Sequence, residues 1–285
     1  MGASFDKISP TALLVTYARQ FSDIPYAQAI AERVNAQAIA QQYTTGGIED
    51  LKHFAPVIEA RYKATNGLLT KFACRQIVEL GSGLLPRGMI LSGNPEITFV
   101  ESDLPLMIEQ KQELVDRLVG TRPNLQFAAI DVTATPSQFP LDVPYLRQGE
   151  PVAICCEGLL QYLTLPEKQR VFANVRQMLQ QYGGVWITPD LTTQQRRSQL
   201  RNYNPAMERI LQAIAQNTDR STFDNSFADV EHRQEFVAAQ GFQLQSFSLI
   251  DLLDQLSSLK HLGISPAQLQ PLLAKTSIFA LTLKE

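Results

Sequence analysis

A short apolar run, Gln76-Ile77-Val78-Glu79-Leu80, feeds directly into the turn Gly81-Ser82-Gly83. A second apolar run, Ile97 to Val100, ends in the acids Glu101 and Asp103, about 20 residues after the glycines. This spacing lays out the first two strands of a doubly wound α/β domain around an adenosine-bearing ligand. Glycine lets the backbone approach a ligand closely. A carboxylate at the end of the second strand accepts hydrogen bonds from ribose hydroxyls.

The details choose among nucleotides. The dinucleotide fingerprint is G-x-G-x-x-G, but the third glycine here is Gly88, two places late, behind Pro86 and Arg87. That argues against a pyrophosphate seated on the helix N-terminus. The lysine-hydroxyl ending of a P-loop is absent as well. Glu79 precedes the glycines, where a carboxylate repels phosphate but attracts a cationic amino group. S-adenosylmethionine carries such a group, with a sulfonium, a ribose and an adenine, so the turn suits it better than NAD or ATP.

The 285 residues are 45% hydrophobic and 19% charged, which supports one large domain or one domain with insertions. Net charge is −3 and the pI about 5.7, with no basic excess to drive nucleic-acid binding. Cys74, Cys155 and Cys156 lack metal spacing, and the last two read as small core residues in a reducing cytosol. His53, His232 and His261 are scattered, so no metal site is expected. No apolar run approaches the ~18 residues of a membrane span and no secretory signal is read, so a cytoplasmic protein is the expectation.

Alternation along the chain predicts the architecture. Residues 1–72 read as a helical N-terminal layer, with helices over Thr11–Phe21, Tyr26–Gln42 and Ile48–Phe72 and Gly46-Gly47 as punctuation. Residues 73–190 read as a donor-binding core. Its strands are Gln76–Leu80, Ile97–Ser102, Leu125–Ile130, Val152–Cys156 and Gly184–Thr188, with near-continuous apolar runs that suit parallel strands covered on both faces. Between them, Pro105 opens one helix, and Thr164 to Glu167 form a capping box for another that stops before Gly183-Gly184. Residues 191–240 read as a helical lid insertion. Residues 241–285 carry two strands, Gln243–Leu249 and Ser277–Leu283, split by a helical piece. The expectation is one domain over residues 1–285: a Rossmann-like, seven-stranded, mostly parallel sheet with helices on both faces.

Ligands in such sheets bind beyond the carboxyl ends of the strands. Four strands end there in carboxylates: Glu79, the pair Glu101/Asp103, Asp131 and Glu157. Each alone also reads as a solvated loop acid; together they mark a site. The set resembles the leucine carboxyl methyltransferase family, a branch of the class I S-adenosylmethionine-dependent methyltransferases. The matching stretches are Val78-Glu79-Leu80-Gly81-Ser82-Gly83-Leu84-Leu85-Pro86-Arg87, then Phe99-Val100-Glu101-Ser102-Asp103-Leu104-Pro105, and Cys156-Glu157-Gly158-Leu159-Leu160-Gln161-Tyr162-Leu163. The resemblance covers about residues 10 to 190.

It implies that Gly81 and Gly83 admit the donor against bare backbone. Arg61 pairs with the methionine carboxylate, Arg19 adding a second basic contact. Asp103, ahead of Glu101, holds the ribose; Asp131 and Val132 frame the adenine; Glu157 faces the amino group. Leu85-Pro86 stands where the family often has Asp-Thr. Arg87 keeps the arginine that follows, as a donor contact or a helix-surface cation.

The acceptor pocket is expected between the N-terminal helices and the 191–240 stretch. Arg196, Arg197 and Arg201 there read as an ordinary solvated helix face ahead of an anion-binding one. A carboxylate acceptor needs no general base, whereas a phenol or alcohol does. Tyr162, Tyr203 and His232 are the candidate bases, each more readily a structural residue. The expected activity is O-methylation of a small-molecule acceptor. The alternatives are methylation of a protein's C-terminal carboxylate, an NAD(P)-dependent oxidoreductase, and a non-catalytic donor-binding module.

Overall fold

The computed structural model describes residues 10–43, 48–140, 145–203 and 220–284. A seven-stranded sheet runs through it in the order β3-β2-β1-β4-β5-β7-β6. The strands are β1 Gln76–Leu80, β2 Thr98–Asp103, β3 Leu125–Ala129, β4 Val152–Cys156, β5 Gly184–Thr188, β6 Phe242–Ser248 and β7 Ser277–Leu283. The first five are parallel, and β7 enters antiparallel between β5 and β6. Every residue of β1 and β4 is buried, as expected of central strands covered on both faces. Chain order reverses between β1 and β4, which opens a crevice at their carboxyl ends.

Helices cover both faces. On one, α8 (Leu165–Tyr182) stacks Phe172 edge-on against Trp186, Phe236 and Phe242, with ring centroids 4.6 to 5.5 Å apart. Its start is the capping box read from sequence, Thr164 with Glu167. On the other, α5 (Ala55–Phe72) and α7 (Pro105–Val119) bury Leu68, Leu69, Leu114 and Val115 in one core with Ile77 and Phe99.

The N-terminal layer is more broken than its composition predicts. In place of one helix over Tyr26–Gln42 there are α2 (Ala27–Arg33) and α3 (Ala36–Tyr43), divided at Asn35, whose φ is 51°. Left-handed backbone there ends a helix. The stretch Ile48–Phe72 divides into α4 (Glu49–Lys52) and α5, with Pro56 in the first turn of α5. Gly46-Gly47 lies outside the described residues. The layer packs apolar side chains near the sheet's carboxyl edge. Leu14 and Tyr17 of α1 (Pro10–Arg19) belong to a cluster against which Tyr162 packs, and Ile24, Ala27 and Tyr62 enclose Leu85 after the glycine turn.

Candidate functional site

The turn after β1 is built as the glycines require. Gly81 and Gly83 have φ of 65° and 46°, in the left-handed region that other residues avoid. A Cβ on Gly81 would lie 3.0 Å from Leu159 Cδ2, so the turn is close-packed against the segment following β4. Ser82 N–H donates to Ser102 O at 2.8 Å, tying the turn to β2.

Asp103 closes the same corner. Its Oδ2 accepts from Gly83 N–H and its Oδ1 from Leu104 N–H, both at 2.8 Å. Each oxygen keeps a lone pair for another donor. Burial raises the carboxyl above the usual range, and the two N–H groups and Lys111 oppose that rise.

Two of the other acids read from sequence, Glu79 and Glu101, occupy a buried layer beneath the turn. Glu79 and Glu101 are 1% and 0% exposed, and neither reaches the open edge. Glu79 pairs with Arg87, and Glu101 Oε2 with Lys111 Nζ at 3.0 Å. Arg87 is neither a helix-surface cation nor an open donor contact. It is fully buried, with Nη2 3.1 Å from Glu157 Oε2, Nε donating to Asn66 Oδ1 at 2.9 Å, and its guanidinium over the Tyr62 ring. These are corrections to the expected donor contacts: charges so deep are held by partners, and theirs are each other.

Gly88 explains why Glu101 lies there. A Cβ at Gly88 would overlap Glu101 Oε1 and lie 2.9 Å from Phe99 Cδ1. The late third glycine thus lets helix α6 (Arg87–Leu91) sit directly on β2.

Lys111 was missed in the sequence. Its Nζ donates to Gly83 O at 3.0 Å and Leu85 O at 2.6 Å, so one buried cation clamps the glycine loop to α7. The signal was its position, between Ile108 and Val115 on the apolar face of α7.

Glu79 has a measurable consequence. Burial raises its carboxyl to about 7; Arg87 pulls it down, while Glu101 and Glu157 push it up. Between its ordinary 4.5 and about 7 the folded protein keeps a proton that the unfolded chain has lost. Stability on this account is fully present below 4.5 and is lost as pH rises through about 7. Glu79→Gln should flatten the fall in Tm over that window. Parallel pH profiles for the two proteins would refute the assignment.

At the open edge, Glu157 follows β4 and is held below the ordinary carboxylate range, burial being outweighed by Arg61, Arg87 and Arg19. Arg61 reaches it from α5, with Nε 3.5 Å from Glu157 Oε1 and Nη2 3.1 Å from Asp190 Oδ1. Arg19 is 5% exposed and donates one hydrogen bond, to Leu84 O at 3.2 Å. Its buried Nε has no partner, and it makes no ion pair among the described residues. Burial lowers it to about 10.

Asp131 is exposed beyond β3 and accepts from Thr133 N–H and Oγ1 at 2.8 and 2.7 Å. The Val132 side chain lies in the core, and its carbonyl accepts from Asn174.

Two of the three candidate bases, His232 and Tyr162, have described side chains. His232 Nδ1 accepts from Ala228 N–H at 3.2 Å at the start of a helix, Val230–Ala239, so it serves that turn. Burial raises the Tyr162 phenol, which disfavours the phenolate a base requires. The side chains of Tyr203 and Arg201 lie outside the described residues, as do residues 204–219 of the expected lid.

Arg196 and Arg197 are not a solvated face. Arg196 donates to Leu272 O and Thr276 Oγ1, and Arg197 to Ser226 Oγ, Thr222 Oγ1 and Gln161 Oε1. Nor does any group of three or more His, Cys, Asp or Glu among the described residues suit a metal, and no described helix is long and apolar enough to cross a membrane.

A family model described as leucine carboxyl methyltransferase matches residues 9–176, more than half of the chain. No curated protein sequence matches. Among solved structures, a protein provisionally described as a methyltransferase from Thermobifida fusca YX is 17% identical, with 99% of this chain and 97% of that one covered and a TM-score of 0.56. A DUF574 family protein from Streptomyces avermitilis MA-4680 is 15% identical, with 96% and 97% covered and a TM-score of 0.57. The CurJ carbon methyltransferase is 14% identical, with 97% and 68% covered and a TM-score of 0.51. At these identities the likeness is one of fold.

Proposed function

The chain belongs to the leucine carboxyl methyltransferase family, whose methyl donor is S-adenosylmethionine, and we propose that it methylates an oxygen of a small molecule, a carboxylate first of all. Family membership sets aside the oxidoreductase alternative. The residues of the sheet edge fit the donor. Gly81 and Gly83 offer bare backbone, Asp103 has lone pairs for a ribose, and the buried, unpartnered Nε of Arg19 suits an anion such as the methionine carboxylate. Arg61 adds a second cation, Glu157 faces the amino group, and Asp131 with Val132 frames the adenine.

When bound, the donor supplies a methyl on a sulfonium, already activated for in-line displacement. The protein then holds donor and acceptor in line and excludes water. Neither candidate with a described side chain is placed to take a proton, since His232 is committed to its own turn and the Tyr162 phenol is raised. That favours an acceptor ionised near pH 7, a carboxylate.

One observation carries the small size of the acceptor: the loop Gly158–Tyr162 is covered from two sides. The α1 cluster packs on the Tyr162 ring. From residues 220–227, Arg220 and Asn225 donate to Tyr162 O at 3.2 and 2.9 Å. Of the 191–240 stretch, residues 220–227 act as part of the lid over the acceptor in this reading.

The test uses donor labelled in its methyl group and extracts as the acceptor source. Label is expected in the small-molecule fraction and released as methanol by mild base, as from a methyl ester. Base-stable label would mean a hydroxyl acceptor; label in polypeptide would overturn the proposal in favour of a protein carboxylate. The donor site is checked separately by calorimetry. Asp103→Ala should weaken S-adenosylhomocysteine binding by about 1–3 kcal/mol. Asp103→Asn, which keeps an acceptor oxygen, should lose less, and unchanged affinity in folded Asp103→Ala would remove Asp103 from the site.

A further inference from the structure

We propose that Asp190 is a positioning residue that sets the amino-acid end of the donor site, acting through Arg61 and the backbone of Gly158 to Leu160; this rests on the donor-site reading above. Asp190 lies two residues beyond β5 and is 4% exposed. Its Oδ1 accepts from Arg61 Nη2 at 3.1 Å and from Gly158 N–H at 3.0 Å. Its Oδ2 accepts from Leu159 N–H at 2.7 Å and Leu160 N–H at 3.0 Å. Four donors on two oxygens occupy the lone pairs of a carboxylate, so Asp190 has none left for a ligand and acts through the groups it holds.

Those groups are the ones that face the donor's amino-acid end. Gly158 directly follows Glu157, so fixing its amide fixes the peptide that aims the Glu157 carboxylate. Leu159 forms the wall over Gly81, at the 3.0 Å approach that a Cβ there would make. Arg61 comes from the N-terminal layer and is gripped on one side by Asp190 and on the other by Glu157. Its Nη1 makes no hydrogen bond among the described residues. A cap for the short turn Leu160–Tyr162 would need only the three amides. The added grip on Arg61 joins three separate elements, β5, the loop after β4 and α5, at one carboxylate. Were it lost, the amides and the guanidinium would relax independently, while the ribose corner at Asp103 would be untouched.

The test exploits that separation. S-adenosylhomocysteine carries the amino-acid end and 5′-methylthioadenosine lacks it, while both carry ribose and adenine. Calorimetric affinities for the two are compared in wild type, Asp190→Asn and Asp190→Glu. Asp190→Asn is expected to weaken S-adenosylhomocysteine about tenfold or more and to leave 5′-methylthioadenosine within about twofold. Asp190→Glu, which keeps the charge on a longer arm, should fall between. Equal loss for both ligands would mean a merely structural residue and overturn the proposal, as would no loss for either. Should Asp190→Asn not fold, Asp190→Glu decides alone, an unchanged ratio overturning the proposal. Wild type that binds neither ligand would sink the donor-site reading itself, and this proposal with it.

Discussion

Arg87→Met should lower the free energy of unfolding by about 3–5 kcal/mol, the usual cost of leaving buried charges without their partner. The side chain is fully buried and serves Glu79, Glu157, Asn66 and the face of Tyr62 at once. Glu157 would keep Arg61, but Glu79 would keep no side-chain partner among the described residues, for its second oxygen is already unpartnered there. Methionine fills much of the volume, so the loss reports charge rather than cavity. The size of the loss should depend on pH. Glu79 can take a proton in place of its partner, and burial already holds it at about 7 with Arg87 present. The mutant should therefore lie closer to wild type at about pH 5 than at about pH 8. Urea midpoints at the two pH values check this, and a cost that does not change with pH would mean that Glu79 stays ionised. Arg87→Lys should recover little, because a point charge on a flexible stem cannot reproduce the guanidinium fork between two carboxylates and an amide.

The same network shows where the sequence was legible and where it was not. Strands β1, β4, β5 and β7 have the bounds read from their apolar runs, because burial on both faces writes itself as a continuous run. The acids at the sheet edge were legible as a set, but their division was not. Asp103 and Glu157 lie toward the edge and Glu79 and Glu101 beneath it, a matter of depth along the strands, since all four share one register parity, and of cations supplied from elsewhere. Arg87 lies eight residues from Glu79 and 70 from Glu157, and no local pattern connects the three. Asp190 escaped notice behind Pro189, although it is one more acid at a strand end. Arg196 and Arg197 looked like a solvated face because their helix, Gln194–Tyr203, is polar apart from Leu200 and Tyr203. The groups that bury them, Thr222, Ser226, Leu272 and Thr276, come from later in the chain. What local periodicity encodes was readable; what long-range pairing decides was not.

Gly81→Val is expected to cut the affinity for S-adenosylhomocysteine by at least about 100-fold, on the order of 3 kcal/mol. Two effects act together and can be separated. At φ 65° a β-branched residue is strained by about 1–3 kcal/mol, and this cost appears in stability whether or not a ligand is present. The new Cβ would also lie 3.0 Å from Leu159 Cδ2, so the γ-methyls must crowd Leu159 or cover the turn on which the donor is proposed to rest. Adding Leu159→Ala opens the first of these spaces. The double variant should regain part of the lost stability, read from its thermal midpoint. Its donor affinity should not return, because the methyls over the turn remain. Gly81→Ala, with one carbon and no branch, should fall between wild type and Gly81→Val in both measurements. Near wild-type affinity in a folded Gly81→Val protein would move the donor off this turn, and recovery of affinity in the double variant would assign the loss to displacement of Leu159 alone.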